Sequence, residues 1–358
     1  MKQKPITLND VAEYAGVSYQ TVSRVLNQAP HVSSRTRSKV EQAMAALNYT
    51  PNRVAQQLAG KTITTLGLVT TDLSLHAPSQ IAAAIKTTAS QLGINIVMSM
   101  LSSPDVNTCN NAVNDLLSQR VSGVIVNVPL STDDVAHISQ TCADTPVLFM
   151  DADPHTDILN VMFDPDHGAR LAITHLVQLG HQHIALLTGP MTSISARLRY
   201  EGWLAELEKQ QLTPASVLHG DWSAASGYHQ TLALLGESLR VSAIVVANDQ
   251  MALGVLRALH EYGLRVPEQM SVIGFDDTQD SAYYTPPLTT IRQDFRLLGK
   301  EGVTRLLATL RDPTQSTSLL LPTELIVRHS TAVHSSTHAS LQELTKNLLD
   351  ITRQLQRL

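Results

Sequence analysis

Residues 7–27 constrain this chain more than any other stretch, because they predict two short helices joined by a tight turn. Apolar side chains recur at helical spacing before the turn, at Leu8, Val11, Ala12 and Ala15. Gly16 then interrupts the pattern, and Thr7 and Ser18 are suited to cap the two helices. The second helix has its own apolar face at Val22, Val25 and Leu26. The stretch therefore predicts a helix-turn-helix.

The remaining face of the second helix carries side chains that suit the major groove of DNA. These side chains are Tyr19, Gln20, Thr21, Ser23 and Arg24. Glutamine can bond adenine bidentately, arginine can bond guanine bidentately, and hydroxyls reach phosphates. The alternative is a helical hairpin with a merely solvated polar face. Because stripe, turn, caps and polar face all agree with helix-turn-helix geometry, the pattern favours DNA binding, with Tyr19 and Gln20 nearest the base edges.

The same residues resemble the headpiece signature of the LacI/GalR family of bacterial repressors. The signature D-V-A-x-x-A-G-V-S-x-x-T-V-S-R-V-L-N matches residues 10–27, and the resemblance extends over essentially the whole chain. It implies a repressor that contacts operator DNA through its headpiece and through a following hinge. The implied DNA-binding residues are Ser18, Tyr19, Gln20, Thr21, Ser23, Arg24, Asn27, Asn52, Ala55 and Leu58.

Charge is distributed unevenly along the chain. Residues 1–61 contain eight Lys or Arg and three Asp or Glu, whereas the whole chain has a net charge of −5. The remaining residues are therefore strongly acidic. A basic head on an acidic body is the charge distribution expected when only the head meets phosphate.

Two further helices are predicted on the way to the core. Ser33 can cap a third helix, which completes a headpiece over residues 1–51 that ends at Pro51. Residues 52–61 favour a helix too short to be stable alone. An ordinary interdomain linker fits these residues equally well. The resemblance instead implies a hinge helix that pairs across a dimer in the minor groove, with Leu58 wedged between central base steps.

Residues 62–328 alternate between short apolar, β-branched segments and helical segments. The predicted strands are 66–70, 94–100, 123–128, 147–151, 184–188, 243–247 and 271–276, and helices are predicted at 167–179 and 249–262. Such strands are typical of parallel sheets that are buried on both faces. The fold class is therefore α/β, with a three-helix headpiece before a doubly wound core whose length suggests two lobes.

Polar side chains follow several of these strands, where ligands bind in open α/β sheets. They are Asn127, Asp151, Asn248, Asp249, Asp276 and Asp277. Carboxylates and amides suit a polyhydroxyl ligand, Arg199 could add donors, and Phe163, Trp222 or Phe295 could cover the apolar face of a sugar ring. Singly, each Asp could be a helix cap and Trp222 a core residue. Together they favour a sugar pocket.

The family's core is similar to periplasmic sugar-binding proteins, in which three chain segments cross between two lobes and the ligand lies in the cleft. The resemblance implies an apolar wall of Leu75, Ala77, Pro78 and Ile81. It implies hydroxyl contacts from Asn127, Asp151, Ser195, Arg199, Asn248, Asp276 and Gln293, and stacking by Phe163, Trp222 and Phe295. Val128 departs from the aromatic residue expected there. The implied inducer is a β-galactoside such as allolactose, and the implied target is a lactose-utilisation operon.

The end of the chain predicts an oligomerisation helix. Residues 329–339 are rich in Ser, Thr and His and are predicted as a linker. Within residues 340–358, Leu344, Leu348, Ile351, Leu355 and Leu358 form an a/d heptad seam. The seam is short for a two-stranded coil, so it favours a multi-helix bundle over a terminal helix docked on its own core. The resemblance implies that this helix joins homodimers into a homotetramer.

The alternative class of protein is an enzyme that carries a DNA-binding module. No dinucleotide-binding glycine motif, P-loop, G-x-S-x-G elbow or zinc motif is present, and His181 and His183 are the closest histidine pair. We therefore predict no catalytic residues, no metal site and no cofactor. A transport-type binding protein is opposed by the basic head and by an N-terminus without an apolar signal segment.

The two cysteines and the hydropathy pattern suggest where the protein works. Cys109 and Cys142 lack metal-type spacing and are predicted to be buried, reduced thiols, which is consistent with the cytosol. No apolar run approaches the length of a membrane span. The expected protein is a cytoplasmic repressor whose partners are double-stranded operator DNA, a galactoside and further copies of itself.

Overall fold

The computed structural model describes residues 6–26, 29–50, 64–237, 240–315 and 318–334. The chain divides into two compact units, residues 1–63 and 64–358. Several predicted contacts lie outside the described residues. These are Asn27, the hinge residues Asn52, Ala55 and Leu58, and the heptad residues Leu344, Leu348, Ile351, Leu355 and Leu358.

The first unit contains the predicted helix-turn-helix and the third helix that closes it. The helices are α1 (Leu8–Ala15), α2 (Tyr19–Leu26) and α3 (Ser34–Ala46). Thr7 and Asp10 form a capping box at the start of α1, and Gly16 ends that helix with a φ of 64°. Ser18 and Ser33 accept hydrogen bonds from the backbone N–H of Thr21 and Thr36, both at 3.2 Å. The small core consists of Val11, Ala12, Val22, Val25, Val40 and Ala43.

The second unit alternates strands with helices, as its sequence predicts. The strands are β1 (Thr65–Thr70), β2 (Asn95–Met100), β3 (Gly123–Asn127), β4 (Val147–Phe149), β5 (Val161–Phe163), β6 (Ile184–Thr188), β7 (Ser216–His219), β8 (Ala243–Val246), β9 (Ser271–Asp276), β10 (Thr289–Arg292), β11 (Leu319–Leu321) and β12 (Glu324–Ile326). The helices are α4 (His76–Gln91), α5 (Val106–Ser118), α6 (Thr132–Cys142), α7 (Pro165–Gln178), α8 (Ile194–Lys209), α9 (Ala224–Gly236), α10 (Asp249–Glu261) and α11 (Phe295–Arg311). The predicted α/β fold class is therefore confirmed.

The strands form two main sheets that define two lobes. The first sheet has the order β2-β1-β3-β4 with all strands parallel. The β5–β11 pair adjoins it through a bridge between Phe149 and Asn160. The second sheet has the order β12-β10-β9-β8-β6-β7, and only its edge pair β10–β12 is antiparallel. Both sheets are doubly wound. The loops that lead from their parallel strands into the helices therefore lie together at the carboxyl edge of each sheet.

Three chain segments cross between the lobes. The first leads from β5 to α7, and the second leads from β10 to α11, which packs against α4 in the first lobe. The third leads from β11 to β12. This is the connectivity implied by the resemblance to periplasmic sugar-binding proteins.

The structure differs from the sequence prediction in several short strands and in the burial of one edge strand. Strands β5, β7, β10, β11 and β12 were not predicted, and each is only three or four residues long. Strand β2 was predicted to be buried on both faces, which is wrong, since it is an edge strand on which Met98 and Met100 are exposed. Cys109 on α5 and Cys142 on α6 are buried, free thiols as predicted, and burial raises the pKa of Cys109 to about 12.

The segment predicted as a linker begins within the second lobe. Ser330 is fully buried, accepts a backbone hydrogen bond from Val272 at 2.8 Å and donates its hydroxyl to the Val272 carbonyl at 2.6 Å. His334 donates its backbone N–H to the carbonyl of Leu179 at 2.7 Å. The packed chain therefore continues at least to His334. Across the described ranges, no helix is both long and apolar enough to cross a bilayer.

Helices α9 and α10 approach closely through glycines, which gives a stability prediction. A Cβ on Gly254 would lie 1.9 Å from the Ala224 carbonyl oxygen, whereas a Cβ on Gly236 would meet nothing within 4 Å. Replacing Gly254 by Ala should lower the free energy of unfolding by about 1–3 kcal/mol through overpacking. Replacing Gly236 by Ala should leave it unchanged or raise it slightly. Urea unfolding followed by circular dichroism measures both, and equal stability of the two variants would contradict the close approach.

Candidate functional site

The exposed face of α2 is the first candidate site. Tyr19, Gln20 and Arg24 are exposed, while Thr21 and Ser23 are half-buried. The Ser18 and Thr21 hydroxyls lie 2.9 Å apart at the start of the helix, so both belong to its cap. Because Val22 and Val25 are buried against the other two helices, the orientation of α2 is fixed. The amide of Gln20 and the guanidinium of Arg24 are thus presented on a rigid helix with their hydrogen-bonding groups outward.

A cavity of about 350 Å³ between the two lobes is the second candidate site. It lies beyond the carboxyl ends of strands from both main sheets. All fourteen side chains predicted to bind a sugar line it. They are Leu75, Ala77, Pro78, Ile81, Asn127, Asp151, Phe163, Ser195, Arg199, Trp222, Asn248, Asp276, Gln293 and Phe295. A cavity of this size with an apolar wall and convergent polar groups suits a small polar ligand.

Arg199 places a buried positive charge at the wall of this cavity. Its Nη1 donates to the Ala247 carbonyl at 2.5 Å, and its Nη2 donates to Oε1 of Gln293 at 3.1 Å. The guanidinium lies 4.0 Å from the centre of the Phe275 ring. Burial lowers the pKa of Arg199, and the charges of Asp276 and Asp151 oppose that effect. The side chain is thereby held in one orientation as a donor to the cavity.

Two carboxyl groups face this charge from opposite lobes. Asp276 is the last residue of β9 and is 3% exposed, and burial raises its pKa to about 8 against the opposing effect of Arg199. Asp151 follows β4, and burial raises its pKa as well. Its Oδ1 accepts a hydrogen bond from the Ser195 hydroxyl at 2.5 Å, which joins the lobes. Acceptors of this kind, desolvated and close to a fixed donor, suit ligand hydroxyls.

The remaining strand-end residues have structural partners. Asn248 lines the cavity, but its side-chain oxygen caps α10 by accepting from the Met251 N–H at 2.8 Å. Its Nδ2 donates to the Trp222 carbonyl at 3.0 Å. Asp249 accepts from the Thr290 hydroxyl at 2.6 Å and does not line the cavity. The strand-end pattern therefore contains both cavity residues and residues that fix the loops behind them.

Aromatic rings form the apolar part of the cavity wall. Phe163 and Phe295 meet edge to face, with centroids 5.7 Å apart and planes at 87°. Trp222 is half-buried with a φ of 76°, a backbone conformation that bulky residues rarely adopt. Val128, which departs from the family pattern, is buried in the first lobe and does not line the cavity.

The sequence did not single out several residues of the cavity mouth. They include Asp72, His76, Ser103, Thr192, Asp221 and Gln250. The backbone N–H of His76 donates to Oε1 of Gln250 at 2.9 Å, a second hydrogen bond between the lobes. Burial lowers the pKa of His76. These residues lie in the loops and first helical turns after the strands, so extending the strand-end rule by several residues would have found them.

Two family models match regions that contain residues of the candidate sites. The model of bacterial regulatory proteins of the lacI family matches residues 7–52. The model of a periplasmic binding protein-like domain matches residues 173–331. The first match contains the helix-turn-helix, and the second contains most of the second lobe.

Individual relatives match over nearly the full length. The chain is 53% identical to the lactose operon repressor of Escherichia coli strain K12 over 355 residues, which is 99% of each protein. A crystal structure of the lac repressor dimer bound to operator and the anti-inducer ONPF matches with a TM-score of 0.87 and 55% identity, over 92% of this chain and 100% of that one. A dimeric lac repressor with an 11-residue C-terminal deletion matches with a TM-score of 0.73 and 49% identity, over 75% and 99% of the two chains. The chain therefore belongs to the LacI family of bacterial regulatory proteins.

Proposed function

We propose that this chain is the transcriptional repressor of a lactose-utilisation operon and that a β-galactoside bound between the core lobes releases it from its operator. The carrying observation is that fourteen residues suited to bind a sugar line one cavity in a chain whose headpiece presents a recognition helix. The identity to a lactose operon repressor supports this function, and the regulatory family supports a regulator over an enzyme. No cofactor takes part.

In this proposal α2 enters the major groove of each operator half-site. Gln20 and Arg24 bond base edges, and Tyr19 lies beside them at the start of the helix. Ser18, Thr21, Ser23 and Asn27 serve phosphates, while Asn52, Ala55 and Leu58 of the hinge reach the minor groove. Because two headpieces of a dimer act together, the operator is a pseudo-palindrome. Phosphate contacts make binding weaken steeply with salt.

The sugar acts through linkage between cavity and headpiece. Ligand hydroxyls bond Asp276, Arg199 and Asn248, and the ring stacks on Trp222 or Phe295. A sugar that prefers a lobe arrangement incompatible with operator binding weakens DNA binding by the same factor by which DNA weakens sugar binding. Couplings of about 1–3 kcal/mol correspond to roughly 5- to 150-fold changes in affinity.

We also propose that the protein assembles into a homotetramer. The helix predicted from the sequence of residues 340–358 joins two dimers into a tetramer, and the protein acts in the cytoplasm, where its operator lies. The dimeric lac repressor with a C-terminal deletion supports the assignment of the chain end. Sedimentation should give a tetrameric mass for the full chain and a dimeric mass for a chain that ends at residue 340. A tetramer of the shortened chain would place the contacts elsewhere.

Release by sugar can be measured with a fluorescently labelled lac-type operator duplex. The anisotropy of the complex should fall on addition of allolactose and stay constant on addition of maltose. Replacing Asp276 by Asn should abolish release at the sugar concentration that releases the natural protein while leaving operator affinity within about twofold, because the carboxyl group that lines the cavity is lost and the headpiece is untouched. The control variant Asp115→Asn, at an exposed carboxylate of α5, should be released normally. Normal release of the Asp276 variant would remove that residue from the proposed site.

Base recognition by Gln20 gives a separate prediction. Replacing Gln20 by Ala should change the base preferred at one position in each half-site, with a loss of about 1–3 kcal/mol for the preferred operator. Gln42 is an exposed glutamine on α3, and its replacement by Ala provides a matched control that should change nothing. Binding to a set of operator variants measures the preference. An unchanged preference profile for the Gln20 variant would exclude it from base readout.

A further inference from the structure

Two consecutive aspartates at the end of β9 have left-handed backbone conformations. Asp276 has a φ of 114° and Asp277 a φ of 57°, and neither is a glycine. Such conformations are costly for residues with a side chain and persist only where the surroundings hold them. Asp276 lines the cavity, while Asp277 does not. The direction of the Asp276 carboxyl therefore depends on whatever holds this turn.

Backbone groups on both sides of Asp277 are held by hydrogen bonds. The carbonyl of Asp276 accepts from the Gln293 N–H at 3.2 Å. The N–H of Thr278 donates to Oδ2 of Asp249 at 2.9 Å, and Asp249 is itself held by the Thr290 hydroxyl at 2.6 Å. These contacts hold the residues on either side of Asp277. The position of Asp277 itself depends on the contacts of its side chain.

The Asp277 carboxylate is held by two arginines from separate segments. Its Oδ2 accepts from Nε of Arg292 on β10 at 2.7 Å, and its Oδ1 accepts from Nη2 of Arg328 at 2.5 Å. The Asp277 side chain is 8% exposed and that of Arg328 is 18% exposed. Arg328 also donates to the Leu288 carbonyl at 2.7 Å. A charged pair so shielded from water has one well-defined geometry and holds the backbone to which it is attached.

We propose that Asp277, Arg292 and Arg328 are positioning residues for sugar binding, because they hold the strained turn that directs the Asp276 carboxyl into the cavity. The inference rests on the proposed function, since it requires that Asp276 bonds a sugar hydroxyl. When the clamp is broken, the two left-handed residues relax and Asp276 moves away from the hydroxyl, although no ligand contact has been altered.

Calorimetric titration with methyl β-D-galactoside tests the clamp. Replacing Asp277 by Asn should weaken binding about tenfold or more. Replacing Glu324 by Gln removes the outer ion pair of the same network, its 3.1 Å contact with Arg292, and leaves both pairs of Asp277 in place. That control should bind within about twofold of the natural protein. Equal affinities of the Asp277 and Glu324 variants would overturn the proposal.

A series of mono-deoxy galactosides separates positioning from general damage. The hydroxyl that pairs with Asp276 is the one whose removal costs affinity in the natural protein but not in Asp276→Asn. In Asp277→Asn, that hydroxyl should contribute less than half of the binding free energy that it contributes in the natural protein. The contributions of the other hydroxyls should stay unchanged. Uniform weakening toward every sugar would show a merely structural role and contradict the proposal.

A second variant guards against misfolding, and the unmodified protein tests the proposed inducer separately from the clamp. If Asp277→Asn does not fold, Arg292→Gln is used in its place, because it retains the Arg328 pair and changes a half-exposed side chain. It should show the same selective loss. A natural protein that binds operator but no galactoside would overturn the proposed inducer together with the clamp. Galactoside binding that is unaffected in the clamp variants would overturn the clamp alone.

Discussion

The buried guanidinium of Arg199 is the interaction on which the cleft between the lobes depends. Carboxyl groups from both lobes, Asp151 and Asp276, line the cleft near this charge, and burial raises the pKa of each. A fixed cation partly compensates them, and it is fixed because Ala247 and Gln293 accept its hydrogen bonds. Without that charge the cleft would hold uncompensated acids, which is a costly arrangement. The lobes are thus joined by electrostatics as well as by the chain.

Sheet topology explains why so many functional residues converge. Parallel strands end at a common edge, so loops that are distant in sequence meet there without special contacts. Two doubly wound sheets bring two such edges together, and the chain crossings keep them adjacent. Hydrogen bonds across the gap, from Ser195 to Asp151 and from His76 to Gln250, then set the distance between the lobes. A ligand that changes this distance acts on both lobes.

Local signals were predictable from the sequence, and contacts between distant segments were not. The helix-turn-helix was found because its caps and its turn glycine are encoded within a few residues. Strand β10 was missed because Thr289 and Thr290 look polar, although their hydroxyls are satisfied in the core. Asn248 and Asp249 were indistinguishable by position, yet only the first lines the cavity. Ser330 has a linker-like composition but is buried through bonds to a strand far away in sequence.

The chain crossings also determine the order in which the lobes can be completed on the ribosome. Strands β1 to β5 emerge first, but helix α11 and strand β11, which cover and extend that sheet, are synthesised after residue 294. Apart from its edge strand β12 and the residues that follow it to His334, the second lobe is one continuous stretch that emerges before them. The N-terminal lobe therefore waits, incompletely covered, while its neighbour folds. This reverses the N-terminal-first order usual for domains and exposes the face beneath α11 to aggregation during synthesis.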